Sequence, residues 1–217
     1  MGTLNTHDRL AAAAAALFYT QGITVTGVDT VVRHAGVSKP TLYSHYRSKA
    51  ELVAAALAFQ HQSRRQTIEA YLSQRTDWAP ADRLLAVFDW FKDRSIGPGR
   101  RGCAFLNAAV ELVADEDEPA REIVRQHKQW WQGCLTDLAR AAGARDPDRL
   151  ASDLLLLIDG ANARILVTGD AEVAVQAQRV AAILLEASRR ADVPPGNNGA
   201  ASGLRTPRTR DRRHPSL

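Results

Sequence analysis

Strand-forming sequence is nearly absent from this chain: alternation of apolar and polar β-branched residues never lasts, while alanine, leucine, arginine and glutamate recur at helical spacing. An all-α fold is expected. Cysteine is scarce as well. Only Cys103 and Cys134 occur in 217 residues, too few for a disulfide framework or a metal-ligand cluster, and two buried helix cysteines in a reducing cytosol are the natural reading. No metal and no cofactor is expected. Large apolar residues never run far: Leu154 to Ile158 is much too short to span a bilayer, and no charged segment leads into an apolar one at the start. These absences point to a cytoplasmic protein with no membrane partner.

What is present suffices for a core. A hydrophobic content of 45% excludes disorder throughout and suits one large domain or a small one joined to a larger one. The charge is unevenly placed. Residues 1–49 hold five Lys/Arg against two Asp, residues 50–193 eighteen basic against twenty-one acidic, and residues 194–217 five Arg against one Asp. A basic head and a basic tail thus flank a mildly acidic body, and basic segments attract phosphate backbones. From Pro194 the composition turns to Pro, Gly, Asn, Ser and Arg, which predicts a disordered tail that either adds nonspecific phosphate contacts or is dispensable.

Caps and breakers divide the rest into about nine helices. The first spans about 7–20, with Thr6 or Asn5 as N-cap and Gln21-Gly22 as its stop. Thr26 with Asp29 reads as a carboxylate variant of the capping box and opens a second helix that closes at Ala35-Gly36; Ser38 opens a third, and Ser48 with Glu51 forms a full S-x-x-E box ahead of a long fourth. Helices follow at 80–95, about 102–114, from the acidic stretch 115–118 to Gly143, from Asp146-Pro147 through the leucine run, and about 171–191. The leucine run leaves scarcely any polar face, and Val173, Ala177, Val180, Leu184 and Ala187 recur in the last helix as a seam. Two such helices predict a homodimer through a four-helix interface, with Leu155, Ile158, Val180 and Leu184 at its centre.

The segment Gly36 to Lys49 is the most specific. It joins a tight turn to a very short helix that offers Leu42 and Tyr46 to a core and turns Lys39, Thr41, Tyr43 and His45 elsewhere. Donors and an aromatic face on so short a helix suit a DNA groove, as in the second half of a helix-turn-helix spanning about 27–46. Through Gly22, Thr26, Ala35-Gly36-Val37-Ser38, Thr41-Leu42-Tyr43, His45-Tyr46, Ser48-Lys49 and Glu51-Leu52 the chain resembles the tetracycline-repressor (TetR) family of bacterial regulators. Lys39-Pro40 stands where many relatives have lysine and glycine, and Tyr46 where phenylalanine is usual.

The resemblance implies a DNA-binding domain over 1–49, a helical ligand-binding and dimerisation domain over 50–193, and a regulator released from a palindromic double-stranded DNA operator by a small-molecule effector. It implies phosphate contacts from Thr26, Thr41, Tyr43 and Lys49, which short hydroxyls, a phenol and a lysine at a helix N-terminus can make. Ser38, Lys39, Pro40, Ser44 and His45 are the candidates for base edges, Pro40 through a thymine methyl. In the body, Cys103, Asn107 and Glu111 recur at four-residue spacing, and with His127, Trp131, Phe88 and Phe91 they form either the lining of a ligand pocket or ordinary core with Glu111 at its rim. Two other readings stand beside regulation by a ligand: a DNA-binding protein that answers a partner protein or nothing, and an enzyme using Cys103 as nucleophile, His127 as base and Glu111 as orienter.

Overall fold

The computed structural model describes residues 5–95, 97, 99–112 and 118–190. The predicted tail over 194–217 lies outside the described residues, as does the acidic stretch 115–117. Within them the chain is entirely helical: α1 (Thr6–Gln21), α2 (Val28–Ala35), α3 (Lys39–His45), α4 (Lys49–Ser73), α5 (Pro80–Ser95), α6 (Ala104–Glu111), α7 (Glu118–Ala141), α8 (Pro147–Thr168) and α9 (Glu172–Arg189).

Four helix starts follow from short polar side chains that satisfy first-turn amides. The Asn5 carboxamide accepts from the Asp8 amide at 2.8 Å, the Ser38 hydroxyl from Thr41 at 3.2 Å, and the Asp146 carboxylate from Arg149 at 3.1 Å. Ser48 accepts from the Glu51 amide at 3.1 Å while the Glu51 carboxylate reaches back to the Arg47 amide at 2.7 Å. The second helix departs from expectation. Its cap is Gly27, with no side-chain bond, because Thr26 is buried, 1% exposed, and donates its hydroxyl to the Gly22 carbonyl at 2.6 Å. The sixth helix is also shorter than its composition suggests: Cys103 is extended (φ −84°, ψ 118°) and caps it rather than belonging to it.

Two large apolar cores result. The first joins Leu10, Leu17 and Phe18 of α1, Val31 of α2, Leu42 and Tyr46 of the α3 region, Leu52 and Leu57 of α4, and Phe105 and Ala108 of α6. The N-terminal helices therefore share one interior with α4 and with α6 of the body. The second, built around Trp90, Trp131, Leu135, Leu154 and Leu185, ties the far half of α4 to α5, α7, α8 and α9. Burying side chains of this size contributes about 1.5–3 kcal/mol each.

Candidate nucleic-acid interface

Helices α2 and α3 meet through Gly36, whose backbone is left-handed (φ 65°) and whose amide, with that of Val37, closes onto the last carbonyls of α2. A side chain there would be strained, so the sharp turn depends on glycine. Beneath α3, Leu42 and Tyr46 are buried, and the Tyr46 phenol donates to the His7 carbonyl at 3.0 Å. That bond explains tyrosine at this position: the hydroxyl ties the end of α3 to the start of α1. The ring lies 4.8 Å from that of His7.

With Leu42 facing inward, Ser38, Lys39, Pro40, Tyr43, Ser44 and His45 are exposed together and Thr41 is half-buried. Their readiness for a ligand differs. Tyr43, 45% exposed, and Pro40 are open. His45 sits edge-on to His7, 6.2 Å between centroids. Lys39 is held 2.9 Å from Asp29 on α2, whose hydrogen bond and charge raise its pKa. The Ser38 and Thr41 hydroxyls bond each other at 2.7 Å, and Ser44 donates to the Thr41 carbonyl at 2.7 Å, so these three are turned partly back onto the helix. Lys49, at the N-terminus of α4, donates to the Thr24 carbonyl at 3.2 Å. Thr26 alone is withdrawn: its hydroxyl is buried and engaged, which removes it from the expected phosphate contacts.

In the body, a cavity of about 30 Å³ lies among α4, α5, α6, α7 and α8, and Phe91, Cys103, His127 and Trp131 are among the residues that line it. Phe88 instead packs in the second core. Asn107 and Glu111 face away, onto a crevice of about 20 Å³ against α1 and α4. The physical reason is Cys103: being extended, it stands out of helical phase with Asn107 and Glu111, and the four-residue spacing does not place all three on one face.

His127 is buried and stacks on Phe105, 3.5 Å between centroids, while its Nδ1 shares a proton with that of His61 at 3.0 Å. Burial above all, then the nearby His61, Lys128 and Arg64, drives its pKa down to about 2. An imidazole held neutral in this way is a weak base, and the Glu111 carboxylate lies on the other crevice, so the imagined nucleophile, base and orienter are not assembled. Burial also pushes the Cys134 thiol up to about 11.

Residues 10–56 match the model for bacterial regulatory proteins of the tetR family, and residues 80–182 the tetracyclin repressor-like C-terminal domain. A TetR-family transcriptional regulator from Streptomyces coelicolor superposes with a TM-score of 0.75 at 30% identity, covering 85% of this chain and 96% of its own. The chain belongs to the TetR family. A TetR regulator described as putative, from Streptomyces avermitilis, is similar at 31% identity and a TM-score of 0.70, covering 85% of this chain and 98% of its own. The HTH-type transcriptional activator FasR of Mycolicibacterium smegmatis is 45% identical over 49 residues, 23% of this chain and 22% of that protein. As a member of this family the chain is a DNA-binding transcriptional regulator of TetR type, and no described helix is long and apolar enough to cross a membrane.

Two features of this TetR chain escaped its sequence. Glu111 joins the DNA-binding head to the body: its carboxylate accepts from the Thr24 amide at 2.9 Å, and a Cβ added at Gly22 would approach it to 3.2 Å. Nearby, the Tyr19 phenol donates to the Gly102 carbonyl at 3.2 Å and accepts from the Arg101 amide at 2.8 Å. The outward face of α8 and α9 is the second. Ile158 is buried and Leu155 half-buried, and both line the cavity. Leu156, 75% exposed, and Ile183, 67% exposed, point outward; Leu156 with Val180 and Leu184 lines an apolar groove of about 690 Å³. A leucine run apolar on all sides carries no phase, so only packing tells which leucine turns out.

Proposed function

We propose that this regulator is a homodimeric repressor that leaves a palindromic operator when a small molecule enters its body. The observation that carries the reading is the placement of residues 102–111. On one side Gly102, Cys103 and Phe105 wall the cavity; on the other, the same segment bonds Tyr19 and Thr24 of the head through Gly102 and Glu111. A ligand that shifts this wall shifts the head with it, and α4, which starts at Lys49 and runs past the cavity at Arg64, moves the same way.

Dimerisation buries the apolar groove of α8 and α9. Two heads on a two-fold axis then meet half-sites one helical turn, or a small multiple, apart. Thr41, Tyr43 and Lys49 position the head on phosphates, while Lys39, Pro40, Ser44 and His45 face base edges and Ser38 serves mainly as a cap. Roughly 100-fold release requires about 2.7 kcal/mol of differential ligand affinity between the two states.

Selection of bound DNA from a random library with the full chain tests the reading. A palindrome is the expected product, and Lys49→Ala should weaken every sequence alike and reduce the salt slope by roughly 1. His45→Ala should alter preference among sequences. Enrichment of asymmetric single sites would overturn the dimeric reading.

A further inference from the structure

The charged side chains around the cavity do not balance. Lys128 is paired with Asp159 at 2.5 Å, so those two cancel. Arg64 and Arg94, which also line the cavity, make no side-chain hydrogen bond and no ion pair with any described residue, although both are half-buried. They converge on one ring: the Arg94 guanidinium lies 4.4 Å and that of Arg64 5.6 Å from the centroid of Trp90. Trp90 is fully buried, and its indole N–H has no hydrogen-bond partner.

Arg64 and Arg94 also line a second space. An open groove of about 610 Å³ between α1, α4 and α5 carries Arg64, Arg94 and Arg100 against the single carboxylate of Asp93, which forms no ion pair with them. The two arginines thus stand between a groove of ligand size and the aromatic cavity wall. Burial above all lowers the pKa of Arg64 and of Arg94, with the neighbouring Arg100 acting in the same direction on both. Half-buried guanidinium forks without carboxylates suit a planar or tetrahedral oxyanion, which they bind through paired charge-assisted hydrogen bonds.

Resting on the ligand-responsive reading above, we propose that the ligand is an organic anion: its carboxylate or phosphate lies between Arg64 and Arg94 with Arg100 at the mouth, and its apolar part turns toward Trp90, Phe91 and Trp131. Anion entry would neutralise two half-buried cations and open the aromatic wall that the 102–111 segment shares with the head.

Calorimetric titration of the full-length protein with 1-naphthoate, 1-naphthyl phosphate and 1-naphthamide separates charge from shape. At least one of the two anions should bind roughly tenfold or more tightly than the amide, and which of them binds better tells carboxylate from phosphate. Arg64→Gln and Arg94→Gln should each weaken the anion by roughly 10-fold or more, Arg94→Lys should weaken it less, and Arg140→Gln, at an exposed ion pair with Asp137, should change nothing. Melting temperatures within a few degrees of wild type show that the variants are folded. Equal binding of amide and anions, no anion binding at millimolar concentration, or anion binding indifferent to both glutamine variants overturns the site. Operator affinity is read separately: anion binding that leaves it unchanged keeps the anion site and removes the induction reading, while release by a neutral molecule alone keeps induction and removes the anion.

Discussion

In the head, the exposed Lys39 is held 2.9 Å from Asp29 and the half-buried Lys49 donates to the Thr24 carbonyl. In the body, Arg64 and Arg94 are half-buried over the face of Trp90, with no side-chain hydrogen bond or ion pair to any described residue. A head that must meet a polyanion keeps its cations hydrated and lightly tethered, so DNA need displace only water or one weak bond. A body that holds guanidiniums half-buried and unpaired is less stable for it, a cost that fits a structure awaiting an anion. The two regions touch through Glu111 and Tyr19, so the proposed coupling is tested by reading in one region the changes made in the other.

The largest expected effect comes from separating the two bodies. Leu156→Arg places a charge on the outward apolar groove without disturbing the core, since Leu156 is 75% exposed in the single chain. Light scattering should show a monomer that melts near the wild-type temperature. Operator affinity should fall by about 100-fold or more, because a lone head loses the effective concentration of its partner. Full operator affinity in a monomeric variant would break the link between body and head.

The body should next betray itself by pH. His127 is neutral in the folded chain down to a pKa of about 2, whereas an unfolded histidine takes a proton near pH 6.5. As pH falls below the unfolded value, the unfolded state binds a proton that the folded state refuses, and stability is lost. From about pH 7.5 to about pH 5 this amounts to roughly 2 kcal/mol. His127→Asn, compared with wild type by urea unfolding across that window, should lose most of this dependence, and equal slopes would show that the imidazole titrates normally.

Within the head, Tyr46→Phe removes the hydroxyl that reaches the His7 carbonyl and keeps the ring in its core. A net loss of about 1 kcal/mol is expected in urea unfolding. Because the bond fixes α3 against α1, operator affinity should fall slightly as well. An unchanged midpoint would make the phenol a bystander.

What the sequence disclosed follows the range of the interactions concerned. Caps act within three residues, so the starts at Asn5, Ser38, Ser48 and Asp146 were readable, and the inward Leu42 and outward Tyr43 followed from helical phase. Thr26 misled because its hydroxyl turns back to Gly22 rather than forward to the helix. Phe91, Cys103, His127 and Trp131 were recognisable as cavity lining by their apolar setting, while Asn107 and Glu111 were misplaced by one extended residue at Cys103. Arg64 and Arg94 resemble ordinary solvated arginines on their own helices; only the meeting of α4 and α5 at Trp90 reveals them. Leu155 and Leu156 are chemically identical, and which one faces outward is decided by the packing of α7 and α9.

The smallest effect concerns the tether in the reading head. Asp29 on α2 holds Lys39 on α3, and its carboxylate would repel any phosphate that approached Lys39. Asp29→Asn frees the ammonium and removes one negative charge. DNA affinity should rise by roughly threefold at low salt, with a smaller gain at high salt as screening weakens both terms. The gain should appear on operator and on unrelated DNA alike if Lys39 only meets phosphate, and on operator alone if it reaches a base edge. Fluorescence anisotropy with both duplexes over a salt series distinguishes the two. An affinity lowered on both would mean that the pair is needed to orient α3, in which case the head, like the body, would depend on a specific ionic arrangement for its shape.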